Sequence, residues 1–203
     1  MALGWAQALV ILIALQRLAE LWLARRNTRR LRAQGGVEHG ARHYPLIVAL
    51  HAGWLLAVYF GIPAEAVPNL WLLGLFVVLQ AGRIWVMASL GGQWTTRIIV
   101  VPGRPLVRRG AYRYLKHPNY VIVFLEIAVL PLAFGAWGLA LAFGLMNAAV
   151  LAIRIRVEEQ ALSAMRENLG AAERTRTSTP LRELAPEASA STSSATAASE
   201  PPS

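Results

Sequence analysis

The sequence predicts an all-α integral membrane protein, multi-pass, with about five transmembrane helices and a C-terminal helical hairpin. Three observations predict it. Apolar residues make up 56% of the 203 positions and charged residues only 15%, an apolar excess that the single core of a soluble domain does not need. The apolar residues fall into five continuous runs, 3–23, 46–62, 70–90, 121–134 and 137–153, the longer ones close to the roughly 20 residues that cross a bilayer. The basic residues are concentrated in alternate connections between those runs. Helix is the state such runs take, because lipid offers backbone N–H and C=O groups no other partner and the runs lack the alternation of barrel strands.

In chain order, the run 3–23 has no basic stretch before it and no small-residue cleavage site after it, so it is expected to stay in the mature protein rather than leave as a signal peptide. Arg25, Arg26, Arg29, Arg30, Arg32 and Arg42 fill the connection to the second run. The next connection, residues 63–69, carries Glu65 and no base. The connection 91–117 again holds bases, Arg97, Arg104, Arg108, Arg109, Arg113 and Lys116, and is broken by Gly91, Gly92, Pro102, Gly103, Pro105 and Gly110. It reads as a loop with at most short elements, in which Trp94 and the apolar run 98–101 suit a segment at the membrane interface. The fourth run is short and contains Pro131, so it is expected to tilt or to form a hairpin with the fifth, turning at Gly135 and Ala136. Arg154, Arg156 and Arg166 follow the fifth run.

The positive-inside rule then has one consistent solution: the N-terminus outside, with both basic connections and the C-terminus in the cytoplasm. It also accounts for the formal charge of +9. The bases stand beside membrane segments, where anionic lipid headgroups are the near partner, and no nucleic-acid partner is expected. Beyond about residue 171 the composition turns to Ala, Ser, Thr, Pro and Glu, which cannot repay the entropy of ordering. Residues 1–170 are therefore expected to form the membrane domain and 171–203 a tail, disordered from 175 onward. Cysteine is absent, which excludes disulfides, thiolate metal ligands and a cysteine nucleophile. Of the four histidines only His39 and His43 share a helical spacing, with no third ligand in view, so no metal site is expected.

Polar groups within apolar runs are costly unless they face the bundle interior. Arg17, Glu20, Arg83, Glu126 and Asn147 are such groups. Arg17 and Glu20 stand one turn apart and pair locally; with Arg83 they read as a structural ion pair or as side chains snorkelling to the cytoplasmic face. Glu126 has no base near it in sequence and stays open between a site residue, with Trp94 a candidate for substrate binding, and an interior partner of a distant arginine.

The stretch KHPNY, residues 116–120, is the most informative. Pro118 suits the first turn of a helix, since its missing N–H has no partner there in any case, and His117 and Tyr120 then flank that helix start. Arg154 and Glu158 stand at i and i+4, on one face of the last helix. A hairpin brings its two open ends together, gathering an imidazole, a phenol, a guanidinium and the Glu158 and Glu159 carboxylates at one boundary. Singly, each has an ordinary explanation: His-Pro opens many helices, Tyr favours membrane interfaces, and an Arg–Glu pair at this spacing is usually solvated. Together they form a pattern.

That pattern, a base followed by His-Pro-x-Tyr, an apolar hairpin, then Arg and paired Glu, resembles the C-terminal region of the isoprenylcysteine carboxyl methyltransferase family. The likeness covers residues 91–162, including the approach GAYR at 110–113. QRLAELWLARRN at 16–27, GGVEHGARHYP at 35–45 and Leu50-His51 extend it toward a bacterial branch often found beside type III polyketide synthases. Val121-Ile122 departs from the eukaryotic pattern, where Tyr is commonly followed by one residue and then a glycine.

The resemblance implies a multi-pass protein of the bacterial inner membrane that binds S-adenosyl-L-methionine from the cytoplasm. His117, Pro118, Tyr120, Glu158 and Glu159 would hold the cofactor, since a sulfonium is favoured by carboxylates and aromatic faces. Arg154 and Glu158 would be catalytic. The acceptor would be a lipophilic or prenylated molecule entering from the bilayer, methylated either on an isoprenylcysteine-type carboxylate or on an alkylpyrone- or alkylresorcinol-type hydroxyl. Two other readings stay open. A sterol-reductase-like enzyme shares a His-Pro-Asn-Tyr element but binds NADPH, and a non-enzymatic membrane scaffold needs no common task for these side chains.

Overall fold

The computed structural model describes residues 4–104 and 107–178. Its elements run in the order α1 (Trp5–Ala33), β1 (Val37–His39), α2 (Tyr44–Gly61), α3 (Leu70–Leu90), β2 (Ile98–Val100), α4 (Pro118–Ala133) and α5 (Trp137–Ser178), with short 3-10 turns at Ala41–His43, Gly91–Gln93 and Gly110–Arg113. The chain divides into two units, Met1–Glu167 and Asn168–Ser203; of the second, residues 168–178 are described and are helical. Helix thus continues past residue 171, through Ala171, Ala172, Glu173 and Arg174, which have high helix propensity. The rest of the expected tail, residues 179–203, lies outside the described residues.

Every predicted run is a helix. Among the described residues, four helices are long and apolar enough to cross a membrane, and α4 is a shorter apolar one. At 16 residues, α4 is about 24 Å long, just under the ~30 Å hydrocarbon core. The hairpin turns where the sequence places it, with Gly135 in the left-handed region at φ +71°, a conformation glycine adopts without steric cost.

Two sets of contacts close the bundle at the end away from the basic connections. Gln7 Nε2 donates to the carbonyls of Tyr59 and Ile62, tying the start of α1 to the end of α2. Asn69 caps α3 by accepting from the Trp71 and Leu72 amides, and its own N–H donates to Ala133 O at the end of α4. Exposed Trp5, Trp71 and Trp137 stand at the starts of α1, α3 and α5. Exposed Trp22, Trp85 and Tyr114 mark the opposite boundary, as aromatic belts do at lipid–water interfaces.

The apolar core joins α1 through Val10 and Ile13, α2 through Trp54 and Val58, α3 through Phe76 and Leu79, and α4 through Ile127 and Leu130, with Leu139 and Phe143 of α5 packed against it. Pro131 deprives the Ile127 carbonyl of its usual i+4 donor. The buried Trp54 indole N–H supplies that donor at 3.1 Å, removing an unsatisfied group that would cost several kcal/mol in lipid.

Arg17, Glu20, Arg83 and Glu126 of the spans form one cluster, while Asn147 is buried on α5 apart from it, its Nδ2 without a hydrogen-bond partner among the described residues. Arg83 donates from Nε and Nη2 to the two oxygens of Glu20, at 2.7 and 2.6 Å, and from Nη1 to Glu126 at 3.2 Å. Arg17 bridges the same carboxylates, at 2.9 Å to Glu20 and 2.7 Å to Glu126. Gln16 and Gln80 each donate to one of them. Two positive and two negative charges thus balance inside the bundle. Arg83 is buried on Glu20 rather than snorkelling outward, and Glu126 is the interior partner of two arginines.

At the basic end the two connections meet. β1 and β2 pair antiparallel, with Val37 opposite Val100, Glu38 opposite Ile99 and His39 opposite Ile98. The apolar run expected at the membrane interface is therefore a strand. Its Ile98 and Val100 side chains are buried against Val157, Ala161, Leu162 and Met165 of α5, because α5 extends beyond the membrane segment and offers them an apolar stripe.

Candidate functional site

α4 begins at the His-Pro step, with His117 as N-cap and Pro118 in the first turn. The next helical position but one is Tyr120, whose ring stacks on the His117 imidazole, with centroids 5.4 Å apart and planes 14° from parallel. After the turn at Gly135, α5 runs back alongside and returns Arg154 and Glu158 to that level. Tyr120 donates its hydroxyl hydrogen to Glu158 Oε2 and accepts from Arg154 Nε at 2.9 Å. Arg154 Nη2 donates to the Thr96 carbonyl at 2.8 Å, and the guanidinium carbon lies 5.7 Å from the Tyr120 ring centroid. The hairpin ends are thus joined by a charge-assisted relay, Arg154 to Tyr120 to Glu158, of the strong kind.

These groups line a cavity of about 840 Å³, within the size range of small-molecule sites. Its walls come from the 91–117 connection, the start of α4 and one face of α5, and its open polar side includes Arg97, Arg108, Arg113 and Lys116. Apolar side chains, among them Leu90, Val107, Ile98 and Leu162, form the rest. His117 Nε2 and Asn119 Oδ1 are buried without a hydrogen-bond partner, and both residues line the cavity. Buried polar atoms of this kind normally have partners, so their placement fits a polar ligand that supplies them. Tyr112 lines the same cavity. Burial, and then the nearby charge of Glu158, push its phenol up to about 12, which keeps it a neutral donor throughout the physiological range.

Of the residues singled out from sequence, His117, Tyr120, Arg154, Glu158 and Trp94 line the cavity. Trp94 is buried there at 3% exposure, its carbonyl held by Asn27 Nδ2 at 2.8 Å. Pro118 is buried at the helix start. Glu159 stands just outside the wall, paired with Lys116 and 3.6 Å from His117 Nε2. Glu126 lies in the intramembrane charge cluster and is not among the lining residues.

Tyr112, Arg97, Arg108 and Arg113 line the cavity and the Thr96 carbonyl holds Arg154, although sequence reasoning gave them no role at the site. The GAYR stretch carried a signal for Tyr112. The arginines had been absorbed by the topology argument, and Thr96 acts through a backbone carbonyl, for which residue type carries no signal.

The model of the isoprenylcysteine carboxyl methyltransferase family matches residues 72–164, which include α4, the connection before it and the Arg154–Glu159 stretch. The chain is 40% identical over 162 residues to the uncharacterized protein YpbQ of Bacillus subtilis, covering 76% of this chain and 94% of that one. It is 29% identical over 156 residues to an uncharacterized protein of Haemophilus influenzae, covering 72% of this chain and 88% of the other. No solved structure matches it.

Proposed function

The chain belongs to the isoprenylcysteine carboxyl methyltransferase family and is a membrane methyltransferase, and from that premise we propose that it uses S-adenosyl-L-methionine to methylate an oxygen of a lipophilic acceptor held in the bilayer. The observation that carries this reading is the cavity itself: an imidazole, a phenol, a guanidinium and a carboxylate converge where the hairpin opens, at the edge of the apolar bundle. A polar cofactor and an apolar acceptor meet most readily at such a boundary.

The cofactor, when bound, supplies a methyl group on a sulfonium that departs as a neutral thioether once the acceptor oxygen takes the methyl. Glu158 and the stacked His117–Tyr120 pair provide the negative charge and aromatic face that favour such a cation. His117 Nε2 and Asn119 Oδ1, both without a partner, would meet its polar parts, and Lys116 and Arg113 would be the cations available to its carboxylate. Pro118 fixes the helix start that aims His117 and Tyr120, and Glu159 steadies Lys116 and His117 from outside. Arg154 holds the acceptor oxygen. Its orientation is set beforehand by Tyr120 and Thr96, so little reorganisation accompanies the reaction. An isoprenylcysteine-type carboxylate is already ionised and needs only this alignment, with Trp94 bounding the acceptor side. An alkylpyrone- or alkylresorcinol-type hydroxyl must also lose a proton, for which Glu158, through Tyr120, is the nearest base.

The test is ligand-induced stabilisation of the purified protein in nanodiscs. S-adenosylhomocysteine is expected to raise the thermal midpoint and NADPH to leave it unchanged, since only a ligand of the native state stabilises it. Glu158→Ala and His117→Ala should each reduce that rise while the protein still inserts and purifies. Stabilisation by NADPH alone would assign the cavity to a reductase, and indifference to both ligands would leave the scaffold reading.

A further inference from the structure

Arg154 has five N–H donors. The protein uses Nε on Tyr120 and Nη2 on the Thr96 carbonyl, and among the described residues Nη1 has no hydrogen-bond partner. Which way that free edge points depends on the two anchors. Tyr120 is part of a helix, held by the α4 backbone. Thr96 is not: it lies in a bend between the 3-10 turn Gly91–Gln93 and β2, where regular backbone hydrogen bonding does not fix a carbonyl.

Tyr44, the first residue of α2, supplies what the bend lacks. Its hydroxyl shares a hydrogen bond of 3.1 Å with Thr96 Oγ1, and its ring lies under the Arg97 guanidinium, 4.3 Å from carbon to centroid. Arg97 is in turn paired with Glu38 of β1, which Arg32 of α1 also grips. An interfacial tyrosine is commonly explained by lipid headgroups alone. Two directed contacts onto consecutive residues of one bend indicate a more specific task.

We infer that Tyr44 is a positioning residue for Arg154: by holding the Thr96 side chain it holds the Thr96 carbonyl, and with it the edge of the guanidinium that receives the acceptor. Tyr44 lies outside residues 72–164, the part matched by the family model, so the front of the chain contributes to the site without touching either ligand. The inference rests on the reading of Arg154 as the group that holds the acceptor oxygen.

Tyr44→Phe removes the hydroxyl and keeps the ring beneath Arg97, and Thr96→Val removes the other end of the same bond. Each is expected to lower kcat/KM for the acceptor about three- to tenfold, the range of one neutral hydrogen bond, with affinity for S-adenosylhomocysteine unchanged. The double variant should be no worse than either single one, because both remove a single interaction.

A second readout needs no turnover: the Arg154 Nε–H resonance of ligand-free protein, assigned by its loss in Arg154→Lys, should shift or broaden in Tyr44→Phe. An unmoved resonance, or additive losses in the double variant, overturns the role of Tyr44. A wild-type protein that binds no S-adenosylhomocysteine overturns the methyltransfer reading instead, and the resonance still decides whether Tyr44 sets the guanidinium.

Discussion

Arg154 is the residue to which the proposed chemistry assigns the acceptor oxygen, and its guanidinium bonds both Tyr120 at the α4 start and the Thr96 carbonyl of the 91–117 connection. Its planar fork presents several donors spread along two edges, whereas a lysine gathers its three donors on one compact ammonium and does not reproduce the spacing that spans Tyr120, Thr96 and an acceptor oxygen. Arg154→Lys is therefore expected to slow methyl transfer by an amount on the order of 1.5–3 kcal/mol, about ten- to a hundredfold, with little change in cofactor affinity. Labelled methyl transfer to a panel of prenylcysteines, alkylpyrones and alkylresorcinols measures it. Wild-type turnover on every accepted substrate would remove Arg154 from its assigned role. His117, Tyr120, Arg154 and Glu158 were legible at this scale because local rules place them: a proline-started helix, an i,i+4 pair and a hairpin between. Thr96 was not, since any residue type has a carbonyl.

Among the elements, the β1–β2 ribbon is the one that helix-forming runs do not foretell, and it is held by charge as well as by pairing. Burial works to raise the Glu38 carboxyl, but the hydrogen bond and charge of Arg97, and then of Arg32, outweigh it and hold the group below the ordinary carboxylate range. With the folded value below the unfolded one of about 4.3, the stabilisation is fully present above that value. It is lost as pH falls through the folded value. The gap in thermal midpoint between the wild type and Glu38→Gln should accordingly stay constant from about pH 8 to about pH 5 and close below about pH 4. A gap independent of pH across that range would show that the carboxylate's charge does not hold the ribbon.

Over the whole molecule, two features order the bundle. The buried cluster of Arg17, Glu20, Arg83 and Glu126 ties α1, α3 and α4 together. In such a cluster the loss of one partner strands another charge at a cost of about 3–5 kcal/mol, so the cluster specifies which helix faces meet. The second feature is polarity. Because β1 comes from one basic connection and β2 from the other, both connections lie at one end of the bundle, the end that holds the cavity. The positive-inside rule assigns that end to the cytoplasm. A reporter active only in the cytoplasm should therefore be silent when inserted in residues 63–69 and strong when fused after Ser178. Strong activity from the 63–69 insertion would reverse the orientation.

The amino-acid sequence by itself determined the number of apolar helices, the hairpin turn at Gly135 and the clustering of His117, Tyr120, Arg154 and Glu158, together with the family to which their pattern points. Each of these follows from local information: run length against bilayer thickness, proline and glycine at helix ends, and residues one turn apart. Only the tertiary structure decided that Glu126 pairs with Arg17 and Arg83, that the run beginning at Ile98 is a strand covered by α5, and that Tyr44 reaches the bend carrying the Thr96 carbonyl. Those contacts join positions dozens of residues apart. What selects them is the packing of whole helix faces and the need of each buried charge or backbone group for a partner, which no local window of the chain contains.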